Sequence, residues 1–179
     1  MSKNILVISA SLRNGSNSDM LADEFMRGAL ESGNKAEKIT LRGKSINFCK
    51  GCLACQKTGK CVIKDDMAEI LPKMQQADAI CFASPVYFYD MCGQLKTFLD
   101  RTNPLFPAEY NFTDIYFLIT AADTEQSASE GPLKGLQGWI DCFENAGLKG
   151  VVCGLGAEKP GDVKSMSAMN EAYMLGKQA

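Results

Sequence analysis

Four short apolar runs, Ile5 to Ile8, Ala79 to Ala83, Ile115 to Ile119 and Leu148 to Cys153, recur along the chain with longer amphipathic stretches between them. Each is strand-sized, and a weaker alternating segment at Ile39 and Leu41 supplies a fifth. In chain order the first, third and fourth are almost unbroken in apolarity. Such strands are expected to be parallel and covered on both faces by helices, because a half-exposed strand would alternate.

The intervening stretches carry helical spacing. Leu21, Phe25 and Ala29 lie four apart, with Ala22, Met26 and Leu30 widening the stripe and Ser16, Asn17 and Ser18 available as caps. A second helix is expected from Asp66, whose spacing to Glu69 matches a capping box, with Pro72 predicting a kink or break. Leu95, Phe98 and Leu99 mark a third helix. Leu133, Leu136, Ile140 and Phe143 mark a fourth ending near Gly147, and Met166, Met169 and Tyr173 a fifth. Strand and helix thus alternate five times. The alternation predicts an α/β fold, a flavodoxin-like doubly wound sheet of five parallel strands in the order 2-1-3-4-5. At 179 residues and 46% hydrophobic content, one domain over 1–179 is expected. Its irregular parts would be a cysteine-rich loop at about 47–64 and an insert at Asn103 to Phe112, a candidate site rim or subunit contact.

In such a fold ligands gather beyond the C-terminal strand ends. The first strand empties there into Ser9-Ala-Ser-Leu-Arg13-Asn-Gly-Ser16-Asn17-Ser18 and then a helix. Backbone N–H groups and the positive end of the helix dipole suit an anion; Ser11, Ser16 and Ser18 add hydroxyls, Asn17 an amide and Arg13 a charge. The other reading is a solvated turn whose Ser and Asn merely cap. Neither G-x-G-x-x-G nor G-x-x-x-x-G-K-[ST] occurs, which favours a monophosphate such as that of FMN over a dinucleotide or nucleoside triphosphate. After the third strand, Pro85, Val86, Tyr87 and Phe88 could flank a planar ring, or else pack a helix onto the sheet. After the fourth, Ala122 and Asp123 allow backbone amides close to a ring's polar edge.

Four of the eight cysteines, Cys49, Cys52, Cys55 and Cys61, fall within thirteen residues as C-x2-C-x2-C-x5-C. An even spread would put fewer than one there. Thiolates so spaced suit an iron-sulfur cluster or zinc, and free thiols remain a third reading. Cys81, Cys153 and Cys142 read as small buried hydrophobes, and Cys92, beside the second ligand loop, as packing with a reactive thiol as its alternative. Histidine is absent, which removes Ser-His-Asp, Cys-His and HExxH chemistry and directs attention to a cofactor. A net charge of −2 with dispersed Lys and Arg gives no reason to expect nucleic acid or membrane as partner. The first apolar run is too short for a leader or span, so a cytoplasmic protein is expected, where thiols stay reduced.

These segments together resemble the NADPH-dependent FMN reductase family of the flavodoxin-like superfamily, and within it the iron-sulfur flavoprotein branch. The resemblance rests on S-x-R-x-x-S-N-S at Ser11 to Ser18, the cysteine run followed by Asp65-Asp66-Met67, Ser84-Pro-Val-Tyr87-Phe88, and KTFLDR at Lys96 to Arg101. It implies FMN with its phosphate at Ser11, Arg13, Ser16, Asn17 and Ser18 and its ring along Pro85 to Phe88 with Ala122 and Asp123. It also implies NAD(P)H as electron donor, a [4Fe-4S] cluster on Cys49, Cys52, Cys55 and Cys61, and a homodimer or homotetramer. A small molecule or a redox protein such as ferredoxin would be the partner. A pure electron carrier without a substrate of its own, and a zinc-stabilised interaction module, are the competing readings.

Overall fold

The computed structural model describes residues 2–179. Its strands are β1 (Asn4–Ser9), β2 (Lys35–Thr40), β3 (Ala79–Tyr87), β4 (Asp90–Met91), β5 (Asp114–Ala121) and β6 (Gly147–Leu155). Its helices are α1 (Asn17–Glu31), α2 (Ala54–Thr58), α3 (Met67–Gln76), α4 (Gly93–Asp100), α5 (Glu130–Ile140) and α6 (Ser167–Gln178). The five long strands are all parallel and ordered β2-β1-β3-β5-β6, which is the flavodoxin-like 2-1-3-4-5 order. The sixth, β4, is a two-residue extra that folds back antiparallel on the end of β3. No apolar run announces it.

Alternation along the strands divides the core in two. Ile5, Val7, Cys81 and Leu118 face α1 and α6, while Leu6, Ile8, Phe82 and Phe117 face α3, α4 and α5. Leu21, Phe25 and Ala29 are buried as their spacing requires, whereas Leu30 faces solvent. α1 and α6 pack backbone to backbone: a Cβ at Gly28 would sit 2.1 Å from the Tyr173 carbonyl oxygen.

Three local expectations are corrected. Asp66 forms no capping box; its carboxylate accepts from Ser45 N–H (2.6 Å), and Asp65 Oδ1 accepts from Met67 N–H instead. Pro72 does not stop α3, because it sits exposed on the outer face and the helix runs on to Gln76. α5 ends at Ile140, so Cys142 lies in the turn beyond it and is exposed, and Cys153 is only partly buried. In the insert, Tyr110 stacks on Phe112 (4.5 Å between centroids); Phe112 is fully buried, Tyr110 half-buried and Phe106 exposed. Among the described residues no helix is long and apolar enough to cross a membrane.

Candidate functional site: a cleft at the strand ends and a cysteine loop

β1 and β3 are neighbours whose connections leave on opposite sides, and the loops after them meet at the switch point. There a cleft of about 250 Å³, open above, is lined by Ser11, Arg13 and Ser16 on one side and by Pro85, Val86 and Tyr87 on another. Thr120 and Ala122, at the end of β5, form its floor and rim.

Each wall is fixed by local chemistry. Ser16 is the N-cap of α1, accepting from Asp19 N–H (3.3 Å), and its hydroxyl also meets that of Ser18 (3.0 Å). The first N–H groups of a helix lack intrahelical partners, so the cleft ends on free donors. Asn17 lines the cleft but its side chain is fully committed. Nδ2 donates to the carbonyls of Ala157 and Lys159 (3.2 and 2.9 Å), and Oδ1 accepts from Gly161 and Val163 N–H (2.8 and 3.3 Å). It binds the loop after β6 to α1 and has no amide left for an anion. Arg13 spends one N–H on the Glu158 carbonyl (3.0 Å), keeping most of its five donors.

β3 and β4 form a hairpin with Tyr87 opposite Asp90, so its turn is Phe88-Tyr89. Both have positive φ, 51° and 61°, a conformation that costs side chains other than glycine about 1 kcal/mol or more each. Two contacts hold the strained turn. The Tyr89 hydroxyl donates to Asp123 Oδ2 (2.8 Å), and a Cβ at Gly131 would lie 2.0 Å from the Tyr89 carbonyl oxygen, so α5 reaches the turn only because Gly131 has none. Hydrogen bonds from Glu125 N–H and Tyr89 hold the Asp123 carboxyl below its ordinary range. Asp123 therefore braces the hairpin without lining the cleft, and Phe88 projects into solvent away from it. Cys92 is fully buried beneath, against Ser84 Oγ (3.4 Å), and burial pushes its thiol up.

Ala157 and Glu158, in the loop after β6, were missed from the sequence, although Gly156, Pro160 and Gly161 mark a loop at a C-terminal strand end.

The cysteine loop departs from a separate groove, where Ile46 and Phe48 at its root meet Leu12 of the first loop. Its two ends are laced together: Asp66 N–H donates to the Ser45 carbonyl (3.1 Å), and Asp65 Oδ2 accepts from Asn47 N–H (2.9 Å). Arg101, fully buried at the end of α4, forks onto both Asp65 oxygens (2.6 and 3.0 Å) and donates to the Asn47 carbonyl (2.7 Å). Burial opposes ionisation of Asp65, but these donors outweigh it and bring its pKa down to about 2. Beyond this base, Cys55 is buried at α2, Cys61 half-buried, and Cys49 and Cys52 exposed. Three of the four sulfurs receive an N–H: Cys49 from Gly51 (3.4 Å), Cys55 from Asn103 (3.5 Å) and Cys61 from Arg101 (3.5 Å). Burial, then the neighbouring Cys61, raises the Cys55 thiol. Among the described residues, no three cysteine, aspartate or glutamate side chains converge on a common metal position.

The family model for NADPH-dependent FMN reductases matches residues 3–130, a stretch holding β1 to β5, the cysteine loop and all the cleft walls except the loop after β6. The chain belongs to the NADPH-dependent FMN reductase family. It is 44% identical over 101 residues to an iron-sulfur flavoprotein of Methanocaldococcus jannaschii, covering 56% of this chain and 52% of that one. A second iron-sulfur flavoprotein, from Archaeoglobus fulgidus, is 38% identical over 97 residues, 54% of this chain and 44% of that one. The chain thus spans about half the length of these curated relatives. A Bacillus subtilis protein assigned provisionally as an NAD(P)H-dependent FMN-containing oxidoreductase is 29% identical over 189 residues, covering 98% of this chain and 97% of that one. In fold, an NAD(P)H:quinone oxidoreductase of Methanothermobacter marburgensis superimposes with a TM-score of 0.78 at 19% identity, covering 99% of this chain and 96% of that one.

The cleft of this FMN reductase family member presents what a flavin phosphate needs: the N–H groups opening α1 lack intrahelical partners, and Arg13, which lines the cleft, keeps most of its donors uncommitted. For the cysteine loop, the N–H donors match what thiolate ligands need, while no three of the sulfurs converge as they stand, so the loop must rearrange before four could share one centre.

Proposed function

We propose that the chain is an FMN-dependent oxidoreductase that takes electrons from NAD(P)H and passes them to a small-molecule or protein acceptor. The observation that carries this is the single cleft at the β1/β3 switch point, where an anion-binding helix start and an aromatic hairpin face each other. FMN would supply hydride and single-electron transfer, which no side chain of this histidine-free chain supplies.

The chain's own residues do the rest. Ser11, Ser16, Arg13 and the N–H groups opening α1 hold the phosphate. Pro85, Val86 and Tyr87 lie along the ring, and the strained Phe88-Tyr89 turn, braced by Asp123 and Gly131, keeps them in place before the ligand arrives, so little ordering entropy is lost on binding. Ala122, small and exposed, lets a ring edge approach the backbone after β5. The buried Cys92 thiol stays protonated and acts as packing.

The second part of the proposal is that Cys49, Cys52, Cys55 and Cys61 hold a [4Fe-4S] cluster once the loop rearranges. The N–H donors on three of the sulfurs support it, as do the iron-sulfur flavoproteins among the relatives. The exposed Phe48 and Phe88 favour a homodimer or homotetramer, checked by light scattering.

Stopped-flow mixing of the FMN-loaded chain with NADH and NADPH tests the activity. Prompt loss of oxidised-flavin absorbance supports a reductase; reduction only by reduced ferredoxin assigns an electron carrier. Iron, sulfide and zinc assays after anaerobic reconstitution test the loop, and zinc without iron would replace the cluster with a structural metal.

A further inference from the structure

A second cleft, of about 430 Å³, is bordered by the cysteine loop at Cys49 and Gly51 and shares no lining residue with the first. Its wall is aromatic: Trp139 from α5, Phe143 from the turn after it, and Phe106 from the insert, which stands exposed at the rim. Leu99 closes the apolar floor, and two thiols edge it, Cys49 from the loop and Cys142. The indole N–H is already spent on Thr102 Oγ1 (2.8 Å) and the ring is stacked on Phe112 (5.9 Å between centroids), so Trp139 offers the cleft only its remaining half-exposed ring surface and no donor. No lysine or arginine lines it, and its one carboxylate, Asp100, is paired with Lys96 (2.6 Å).

From this we infer that the second cleft is a binding site for an uncharged small molecule with a flat, conjugated ring, lying against Trp139 and Phe106 over Leu99. The volume falls in the range of small-molecule sites. The absence of lining cations excludes the phosphate and carboxylate ligands that the first cleft attracts with Arg13 and a helix start. Stacked aromatic contact with few polar partners selects flat, neutral rings. Asn103 Nδ2, which gives one hydrogen to Cys55, keeps a second at the cleft wall that can orient a carbonyl on such a ring. The assignment stands on the second cleft alone and does not require FMN in the first.

Trp139 is the only tryptophan in the chain, so binding here reports itself. The probe is duroquinone, which is flat and uncharged and, being fully substituted, adds no thiol to Cys49 or Cys142. Titrated anaerobically into the full chain without reductant, and corrected for absorbance, it should quench Trp139 saturably. Phe106→Ala, an exposed position that costs the fold little, should weaken the dissociation constant at least tenfold, and Cys142→Phe, which fills the mouth, should do the same. Tyr87→Ala, in the first cleft, should leave it within twofold. Linear, non-saturating quenching overturns the inference, as does saturable quenching that Tyr87→Ala weakens and Phe106→Ala does not. Quenching that tracks dimer formation, with Phe106→Ala monomeric by light scattering, assigns the cleft to a contact between copies and also overturns it.

Discussion

Around the cleft the loops are braced by their neighbours: Asn17 makes four hydrogen bonds to the loop after β6, and the hairpin turn is held by Asp123 on one side and Gly131 on the other. In the cysteine loop the bracing stops at the base. Arg101, Asp65 and Asn47 lock its roots, yet Cys49 and Cys52 at its outer part are exposed and Leu53 enters α2 at a φ of 55° with no side-chain cap. The contrast is that of a site built before its ligand arrives and one finished by it. A preorganised cleft should bind its ligand with little change in structure; a loop fixed only at its roots should gain order when its thiols are ligated.

The largest effect should come from breaking the roots. Arg101→Met leaves the buried Asp65 carboxylate unpaired, and removing one partner of a buried ion pair costs about 3–5 kcal/mol. Urea unfolding measures it, and a loss under 1 kcal/mol would mean that the base does not hold the loop. On the cleft side, Gly131→Ala forces a methyl onto the Tyr89 carbonyl, an overpacking of about 1–3 kcal/mol, and should loosen FMN at least tenfold in a fluorescence titration. Unchanged FMN affinity would show that the hairpin is not preorganised for the ring.

Acid should separate the two regions more gently. Asp65 has a folded pKa of about 2, below its unfolded value near 4. Its contribution is complete above about pH 4 and is lost as pH falls through 2, a change of about 2 kcal/mol. Asp65→Asn should lack that component, so the wild-type minus variant stability difference should shrink across this window and stay flat from pH 5 to 7. The smallest effect is Ser16→Ala, about 1 kcal/mol for a lost N-cap by thermal melting, with weakened FMN binding and no change in iron uptake by the loop.

The fold was legible because unbroken apolar strands and four-residue helical stripes leave few alternatives, and the order of the five parallel strands followed. What escaped was local and long-range in origin. β4 is two residues held only by pairing with β3, and Asp66 gave up its cap because Ser45, distant in sequence, offered a better donor. Of the candidate cleft residues, Ser11, Arg13, Ser16, Asn17, Pro85, Val86, Tyr87 and Ala122 come together, while Ser18 lies buried against Ser16 beneath the wall, and Phe88 and Asp123 serve the hairpin. Residue type put these last positions in the cleft, where they do not lie: φ signs and the reach of Tyr89 decide their roles, and neither is written in local sequence.

The most direct measurement is FMN titration of the purified chain by flavin fluorescence, wild type beside Arg13→Gln. Binding should saturate at one FMN per chain, weaken at least tenfold on loss of the guanidinium, and stay indifferent to whether the cysteine loop is loaded. A chain that takes up no FMN, or binds it equally well with Arg13→Gln, would show that this cleft is not an FMN site.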